Sequence, residues 1–359
     1  MLRKSNFWIG TLVVAGLVTV GTAQGNAETV RRASTAKKPA AATAARKKPA
    51  ATPAKTTSSR QRSAIARAAA TAREMADTVT PRYKVDASGD LVPDLRAAAA
   101  IIYNPETNQV LWEENSQDQR SIASITKVMT ATVFLENNPD LTQQVQIVRS
   151  DVFQASTTKL RLNDKVTTDD LLHLLLIASD NAAARALARV SPYGSVGFIR
   201  RMNEKAAELG LESTHYADPS GLLSDNVSSA FDMARLITNA SNDERISSIM
   251  RMQEYTVHSP RRDILFHSTN HLLGRQDLEV RAGKTGFISK AGYCLATLLR
   301  LPQSGQQVAV VVLGARSNAA RFMETRNLFN WLSAKATTVF ATSQPLGLTN
   351  QQQQQQQQQ

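Results

Sequence analysis

The uneven distribution of charge limits which part of this 359-residue chain can fold around a core. The sequence has 42 basic and 30 acidic residues, but twelve of the basic ones and no acidic ones lie between Thr29 and Arg73. Almost no large apolar side chain precedes Ile65 in this region. Such a segment buries too little apolar surface to offset its ordering entropy. Residues 28–88 are therefore predicted to form a disordered basic linker, and the core must come from the charge-balanced remainder.

Both ends of the chain carry segments that are not expected to join a folded domain. Residues 1–27 are predicted to be a secretory signal peptide, because a charged start precedes the apolar run Phe7–Val20 and small residues lead to a cleavage site after Ala27. The apolar run is short for a membrane-spanning helix, and an uncleaved anchor is the alternative. Export would place the protein in the periplasm, soluble or loosely membrane-associated. Residues 341–359 are predicted to form a disordered Gln-rich tail.

Export and the basic linker together restrict the partners of the chain. The linker is predicted to contact anionic membrane lipid or cell-wall polymer, and a solvated spacer is the alternative. Nucleic acid is not an expected partner of an exported chain. Some helicity is possible from Ser63 to Met75, where Ala and Arg dominate. Cys294 is the only cysteine, so an intrachain disulfide is excluded and the core must stabilise the fold unaided.

Residues 89–340 are long enough for one domain with a sizeable core. The predicted strands are a hairpin of Ala97–Tyr103 and Val110–Trp112, followed near the end by Val280–Thr285, Gly292–Leu301 and Gln307–Leu313. The predicted helices are Ile125–Leu135, Thr167–Ile177 with a capping box of Thr167 and Asp170, Ala182–Val190, Val196–Leu209 and Asn318–Ala336. Strands at both ends with helices between them predict an α+β fold, an antiparallel sheet flanked by helices with a mainly helical insert.

Three short motifs in this domain form a candidate catalytic site: Ser124-Ile125-Thr126-Lys127, Ser179-Asp180-Asn181 and Lys284-Thr285-Gly286. A serine hydroxyl is a poor nucleophile at neutral pH unless a nearby base takes its proton. A lysine three residues later on a helix lies on the same face as the serine, and burial with cationic neighbours lowers its pKa enough for that role. Ser179 lies between two apolar helical runs, as a tight buried corner requires. Gly286, at a strand edge, lets a ligand approach the backbone.

Each motif is weak on its own, because the chain also contains similar runs in other contexts. The linker repeats the first motif at Ser34–Lys37, and Ser224-Asp225-Asn226 repeats the second. Asp225 and Asn226 are predicted to hold a loop by local hydrogen bonds. What distinguishes the candidate set is its order and its spacing of 55 and then 105 residues. His267 and His271 have the spacing of helical metal ligands, but the Ser-Thr-Asn run between them is poor helix, so no metal or cofactor is expected.

The motif set resembles that of the penicillin-recognising serine enzymes. Residues 90–335 resemble a low-molecular-mass penicillin-binding protein of the D-alanyl-D-alanine peptidase family, and the resemblance implies a β-lactamase/transpeptidase-like fold. The run Phe266–Leu272 is similar to a segment of the endopeptidase branch. The carboxypeptidase branch usually carries an extra β-rich domain after the catalytic domain. Here the roughly 70 residues after Gly286 are expected to be used by strands and a helix, which also favours the endopeptidase branch. Further matching runs are Arg161-Leu162-Asn163, Asp218-Pro219-Ser220-Gly221-Leu222 and Ala291-Gly292-Tyr293-Cys294.

The resemblance implies acyl transfer through a covalent serine ester. Ser124 would attack the carbonyl of a penultimate D-alanine, and Lys127 would accept its proton with a pKa lowered by the charge of Lys284. Ser179 would pass a proton to the leaving amine, and Asn181 would bind Lys127 and the substrate backbone. β-Lactam antibiotics would acylate the same serine and leave slowly.

The third motif and the residue after it are implied to bind substrate. Lys284 and Thr285 would recognise a carboxylate on the leaving side, with Gly286 giving access to the backbone. The backbone N–H groups of Ser124 and Phe287 would form the oxyanion hole, each worth about 3 kcal/mol. Arg161-Leu162-Asn163 is either a polar turn or a cleft-shaping element.

The resemblance therefore implies a peptidoglycan endopeptidase that cuts D-alanyl–diaminopimelate cross-links in stem peptides. A D-alanyl-D-alanine carboxypeptidase that trims pentapeptide stems would use the same residues, and it is the alternative. A class A β-lactamase would need a Glu-x-x-Leu-Asn run downstream of Asn181, and the sequence has no convincing one. A non-enzymatic wall-binding protein would keep the cleft but would not be trapped covalently.

Overall fold

The computed structural model describes residues 59–341, except the side chains of residues 60, 61, 74, 77–79 and 336–341. The predicted signal peptide, the first half of the linker and the Gln-rich tail after residue 341 lie outside the described residues. The helices are α1 Ser59–Val79, α2 Thr126–Leu135, α3 Arg149–Val152, α4 Thr168–Leu176, α5 Asn181–Val190, α6 Gly194–Glu208, α7 Ala230–Ser241, α8 Glu244–Met250 and α9 Asn318–Ala341, with a 3-10 turn η1 at Ala123–Ile125. The strands are β1 Tyr83–Val85, β2 Leu91–Pro93, β3 Ala99–Asn104, β4 Gln109–Glu114, β5 Arg120–Ser121, β6 Gln144–Gln146, β7 Lys165–Thr167, β8 Val227–Ser228, β9 Glu254–Ser259, β10 Arg262–His267, β11 Glu279–Ile288, β12 Gly292–Arg300 and β13 Gln307–Ala315.

Strands from both ends of the domain form one antiparallel sheet in the order β11, β12, β13, β3, β4. The first hairpin joins the late strands through β3 and β13, where Ile101 lies opposite Val311. The predicted hairpin, the three late strands and the α+β class are thereby confirmed.

Alternation along the central strands gives each face of the sheet its own apolar core. Ile101 and Val311 belong to a large cluster shared with the helices of the insert. Ile102 and Val310 face the other way, into a smaller cluster with Phe329 of α9. Because both faces are covered, the central strands are apolar almost throughout.

The insert brings three distant segments to one place beside β11. Thr167 begins α4 with the predicted capping box, in which its Oγ1 accepts the N–H of Asp170 at 3.0 Å and the Asp170 carboxylate accepts the N–H of Thr167 at 2.9 Å. Only residues 177–180 separate α4 from α5, so the chain turns sharply there. The start of α2 packs against both helices, and η1 packs against β11. The sequence analysis made no prediction for α7, α8 or the β9–β10 hairpin.

The predicted disorder of residues 28–88 is wrong for the last part of that segment. Helix α1 covers residues 59–79, extending the helicity expected between Ser63 and Met75, because Ala and Arg have high helix propensity. Strand β1 pairs with β2, and the indole Nε1 of Trp331 in α9 donates to the carbonyl of Leu91 at 3.0 Å. The folded unit therefore includes residues before 89. Among the described helices, none has an apolar stretch long enough to cross a membrane.

Candidate active site

Ser124 lies in the 3-10 turn that leads into α2, and its side chain is partly exposed. Lys127 follows one turn later and is fully buried. Its Nζ lies 3.1 Å from the Oγ of Ser124, as the Ser-x-x-Lys spacing predicted. The turn is strained, because Ala123 has a φ of 48° in the left-handed region that favours glycine. The hydroxyl and the amine are thus held together by local geometry.

Two further acceptors contact the amine of Lys127. Its Nζ donates to the Oδ1 of Asn181 at 2.6 Å and to the carbonyl of Ser220 at 2.5 Å. Burial lowers the pKa of Lys127 to about 7, against the opposing effect of the carboxylates of Asp180 and Asp218. The sequence analysis predicted a lowering by burial and by the charge of Lys284; burial is the largest cause, and the cation that adds to it is Arg185. An amine with this pKa is partly neutral at neutral pH.

Ser179 lies at the corner between α4 and α5, in a buried position with a left-handed φ of 59°. The Nζ of Lys284 donates to its Oγ at 2.8 Å and to the carbonyl of Thr285 at 2.9 Å. Burial, and then the charges of Lys127 and Arg321, lower the pKa of Lys284. The second and third motifs therefore meet directly, as the sequence predicted.

Asn181 begins α5 and lies almost completely buried beside Lys127. Its Oδ1 accepts from Lys127, but its Nδ2 already donates to the carbonyl of Ala155 at 2.7 Å. The expected contact with Lys127 is present, whereas the amide hydrogen expected for the substrate is partly committed. Asp180 stabilises the local backbone. Its carboxylate accepts the N–H of Ala183 at 2.9 Å and the N–H of Lys159 at 2.6 Å.

Gly286 allows β11 to pass close to the start of the catalytic helix. A Cβ at this position would lie 2.7 Å from the carbonyl oxygen of Ile122 and 3.1 Å from the backbone nitrogen of Ser124. The next residue, Phe287, is half exposed and stacks on Tyr293 with ring centroids 4.2 Å apart. The third motif thus requires glycine for steric reasons.

A cleft of about 460 Å³ joins these residues. It is lined by Ser124, Ser156, Thr157, Ala178, Ser179, Asn181, Leu222, Thr269, Thr285, Gly286, Phe287, Ile288, Ser289 and Arg321. Polar side chains dominate one wall, and Leu222, Phe287 and Ile288 supply an apolar one. Lys127 and Lys284 lie beneath the cleft floor, hydrogen bonded to Ser124 and Ser179.

The sequence analysis missed three groups that complete the site. The Ser220 carbonyl is held by a turn in which the Asp218 carboxylate accepts N–H groups of Ser220 at 2.6 Å and Gly221 at 2.9 Å. Thr269 pairs its hydroxyl with that of Thr285 at 2.6 Å. Arg321 donates to the carbonyl of Gly286 at 2.9 Å. The Asp218–Leu222 and Phe266–Leu272 runs had been noted without roles for these residues.

The remaining noted residues lie outside the cleft. Arg161-Leu162-Asn163 forms a polar turn, in which the N–H of Asn163 donates to the carbonyl of Ile147. Asn226, in the second Ser-Asp-Asn run, bonds Asp218 and Leu223 and so holds a loop as predicted. His267 ends β10 with its Nδ1 3.1 Å from Glu254.

Comparisons with known proteins show the family to which this chain belongs. Residues 86–317 match the model of peptidase family S11, described as D-alanyl-D-alanine carboxypeptidase. A D-alanyl-D-alanine endopeptidase of Escherichia coli K12 is 33% identical over 244 residues, which is 67% of this chain and 78% of that protein. One of Pseudomonas aeruginosa is 32% identical over 252 residues, 69% of this chain and 81% of the relative. The crystal structure of the Streptomyces K15 DD-transpeptidase matches 67% of this chain and 98% of its own, with a TM-score of 0.62 and 27% identity.

Proposed function

This chain belongs to the S11 family of serine D-alanyl-D-alanine peptidases, and we propose that it is a peptidoglycan endopeptidase that hydrolyses D-alanyl–diaminopimelate cross-links through an acyl-serine intermediate. The arrangement of three oxygen atoms around the amine of Lys127 carries the proposal. A neutral amine has two N–H donors and one lone pair. The carbonyl oxygens of Asn181 and Ser220 take the two donors. The lone pair is then directed to the remaining neighbour, the hydroxyl of Ser124.

In the first step Lys127 removes the proton as Ser124 attacks the D-alanine carbonyl. The developing oxyanion is stabilised by the backbone N–H groups of Ser124 and Phe287, which the close approach at Gly286 brings together. Ser179 delivers a proton to the leaving amine, and the proton that Lys127 took from Ser124 replaces it, so Lys127 is neutral again. Water then attacks the ester with Lys127 as base, and Lys127 returns that proton to the departing oxygen of Ser124, which regenerates the serine.

Lys284 and Thr285 bind a carboxylate on the leaving side in this proposal. Because Lys284 is buried beside other cations, its charged form is disfavoured in the free enzyme. An arriving carboxylate favours the charged form, so substrate binding and protonation of Lys284 reinforce each other. β-Lactams, which carry a carboxylate beside a reactive carbonyl, acylate Ser124 by the same route.

Sequence similarity supports the endopeptidase specificity. The relatives named endopeptidase are 32–33% identical to this chain and are covered over 78–81% of their length. Relatives named carboxypeptidase are 26–30% identical. The bacterial cell-wall substrate supports a periplasmic location. The basic linker of residues 28–88 is proposed to contact anionic lipid or wall polymer. Trimming of pentapeptide stems remains the second candidate, because the family description names that activity.

Digestion of purified sacculi tests this proposal. The wild-type enzyme is expected to convert cross-linked muropeptide dimers to monomers without releasing free D-alanine, and Ser124→Ala is expected to abolish conversion. Ser34→Ala, in the linker copy of the motif, is the matched control and should cleave normally. Release of D-alanine with intact dimers would establish the carboxypeptidase instead. Full cleavage by Ser124→Ala would refute the assigned nucleophile.

A further inference from the structure

Four exposed cations form a strip beside the cleft, here called the basic strip: Lys159, Arg161, Lys165 and Arg261. None of their side chains forms an ion pair or hydrogen bond with another residue of the described part of the chain. Other exposed cations in that part, such as Arg200 and Arg300, do lie beside a carboxylate. The strip is therefore a local excess of positive charge on a charge-balanced domain.

Hydrogen bonds hold the strip together and place it at the edge of the site. The guanidinium of Arg262, next to Arg261 at the hairpin turn, donates to the carbonyl of Lys159 at 2.6 Å and to the Asp164 carboxylate at 3.0 Å. That carboxylate also accepts the N–H of Arg161 at 2.8 Å. The strip thus extends from Lys159, just after the cleft residue Thr157, to the turn of the β9–β10 hairpin.

The strip begins within side-chain reach of the substrate. Thr157 lines the cleft, and Lys159 follows two residues later, so their Cα atoms are at most about 7 Å apart. The N–H of Lys159 donates to the carboxylate of Asp180, whose neighbour Ser179 faces the leaving group in the proposed mechanism. A substrate that extends past Ser179 on the leaving side therefore meets the strip.

The nearby carboxylates form no ion pair with the side chains of these cations. Asp164 is buried, and it is already bonded to backbone and to Arg262. Asp180 is buried and accepts from Thr158, Lys159 and Ala183. On the hairpin, Asp263 lies 3.0 Å from His258. The outward charges of the strip remain available to a ligand.

We propose that the basic strip binds the carboxylates of the leaving stem peptide that lie beyond the one adjoining the scissile amide. This inference rests on the proposed endopeptidase function, because only a cross-linked substrate has a long, carboxylate-bearing peptide on its leaving side. Free D-alanine, the leaving group of a carboxypeptidase, ends within the cleft. The strip therefore favours cross-linked over uncross-linked substrate through exposed charge pairs, which salt weakens.

The test compares two double variants that each remove two exposed cations, Lys159→Gln/Arg161→Gln in the strip and Arg200→Gln/Arg300→Gln as the control. Each is assayed at low salt on a purified muropeptide dimer and on the same dimer with its outer leaving-peptide carboxylates amidated. We expect the strip variant to lose about fivefold in kcat/KM on the acidic dimer and little on the amidated one. Labelling by a fluorescent penicillin, which fills only the cleft, should match that of the wild type.

The outcomes separate this proposal from the proposed function. Equal cleavage of the acidic dimer by the strip variant, the control and the wild type would overturn the strip proposal alone. Equal losses on both dimers, or a parallel loss of penicillin labelling, would also overturn it, because the substitutions would then act on the fold. A wild-type enzyme that is labelled by penicillin but cleaves neither dimer would overturn both proposals.

Discussion

Acidification should slow acylation of Ser124 by protonating Lys127. Burial lowers the pKa of this amine to about 7, so the neutral form that can act as base is about one half of the population at pH 7. One pH unit lower it is about one tenth, and one unit higher about nine tenths. The acylation rate should therefore rise about tenfold from pH 6 to pH 8, with its midpoint near 7.

The assay is the rate of covalent labelling by a saturating fluorescent penicillin across this pH range. Saturation matters because Lys284 also titrates, and the bound penicillin carboxylate favours its charged form. Circular dichroism at each pH verifies that the protein remains folded. The maximal labelling rate then reports the protonation of Lys127.

A matched pair of variants tests the electrostatic reasoning. The carboxylate of Asp180 raises the pKa of Lys127 against the effect of burial, so Asp180→Asn should move the midpoint of the profile to lower pH. Asparagine still caps α5 through its Oδ1, so the helix start is kept, whereas the acceptor for the N–H of Lys159 is lost. Asp225→Asn, at an exposed position of the second Ser-Asp-Asn run, should leave the midpoint unchanged. A flat wild-type profile, or a midpoint that rises in Asp180→Asn, would refute the assignment of Lys127 as base.

Three further substitutions test the packing and the local structure around the site. Gly286→Ala should reduce penicillin labelling at least about tenfold, because its Cβ would lie 2.7 Å from the carbonyl of Ile122 and displace the catalytic turn; normal labelling would contradict this. Thr167→Ala should lower the free energy of unfolding by about 1 kcal/mol in urea titrations through loss of the helix cap, while Thr167→Ser should retain most of it. Glu136→Gln should cost about 1 kcal/mol near neutral pH by removing the partly buried carboxylate 2.7 Å from Arg201, and an unchanged urea midpoint would contradict it.

Local periodicity made much of the fold and the motif pairings predictable. Ser124 and Lys127 are one helical turn apart, and this spacing alone predicts that their side chains meet. Thr167 predicted the start of α4, because capping depends on a few adjacent residues. The strands near the end of the domain are continuous apolar runs bounded by turn residues, which is the signal of a doubly covered sheet.

Contacts that depend on backbone groups of distant loops could not be predicted. The carbonyl of Ser220 reaches Lys127 across 93 residues, and any residue type supplies the same carbonyl. The only local signal was the Asp218-Pro-Ser-Gly run, whose aspartate forms a turn with its own backbone. Burial was predicted to lower the pKa of Lys127, but the contributing cation, Arg185, was not, because motif spacing does not report which charges the whole fold brings near. Helix α1 was predicted only as some helicity between Ser63 and Met75, because low apolar content was given more weight than the helix propensity of Ala and Arg.

Backbone strain provides an independent argument for the location of the site. Eight described residues other than glycine have a left-handed φ, and four of these are asparagines, which tolerate that conformation. The other four are Ala123, Gln154, Ser156 and Ser179, and all lie at the cleft: two line it, one precedes Ser124, and Gln154 precedes the residue whose carbonyl binds Asn181. Each such residue costs about 1–2 kcal/mol, and it persists only where its surroundings fix it. These costs coincide with the burial of two lysines, and the coincidence of strained backbone with buried charge at one place is expected of a functional site.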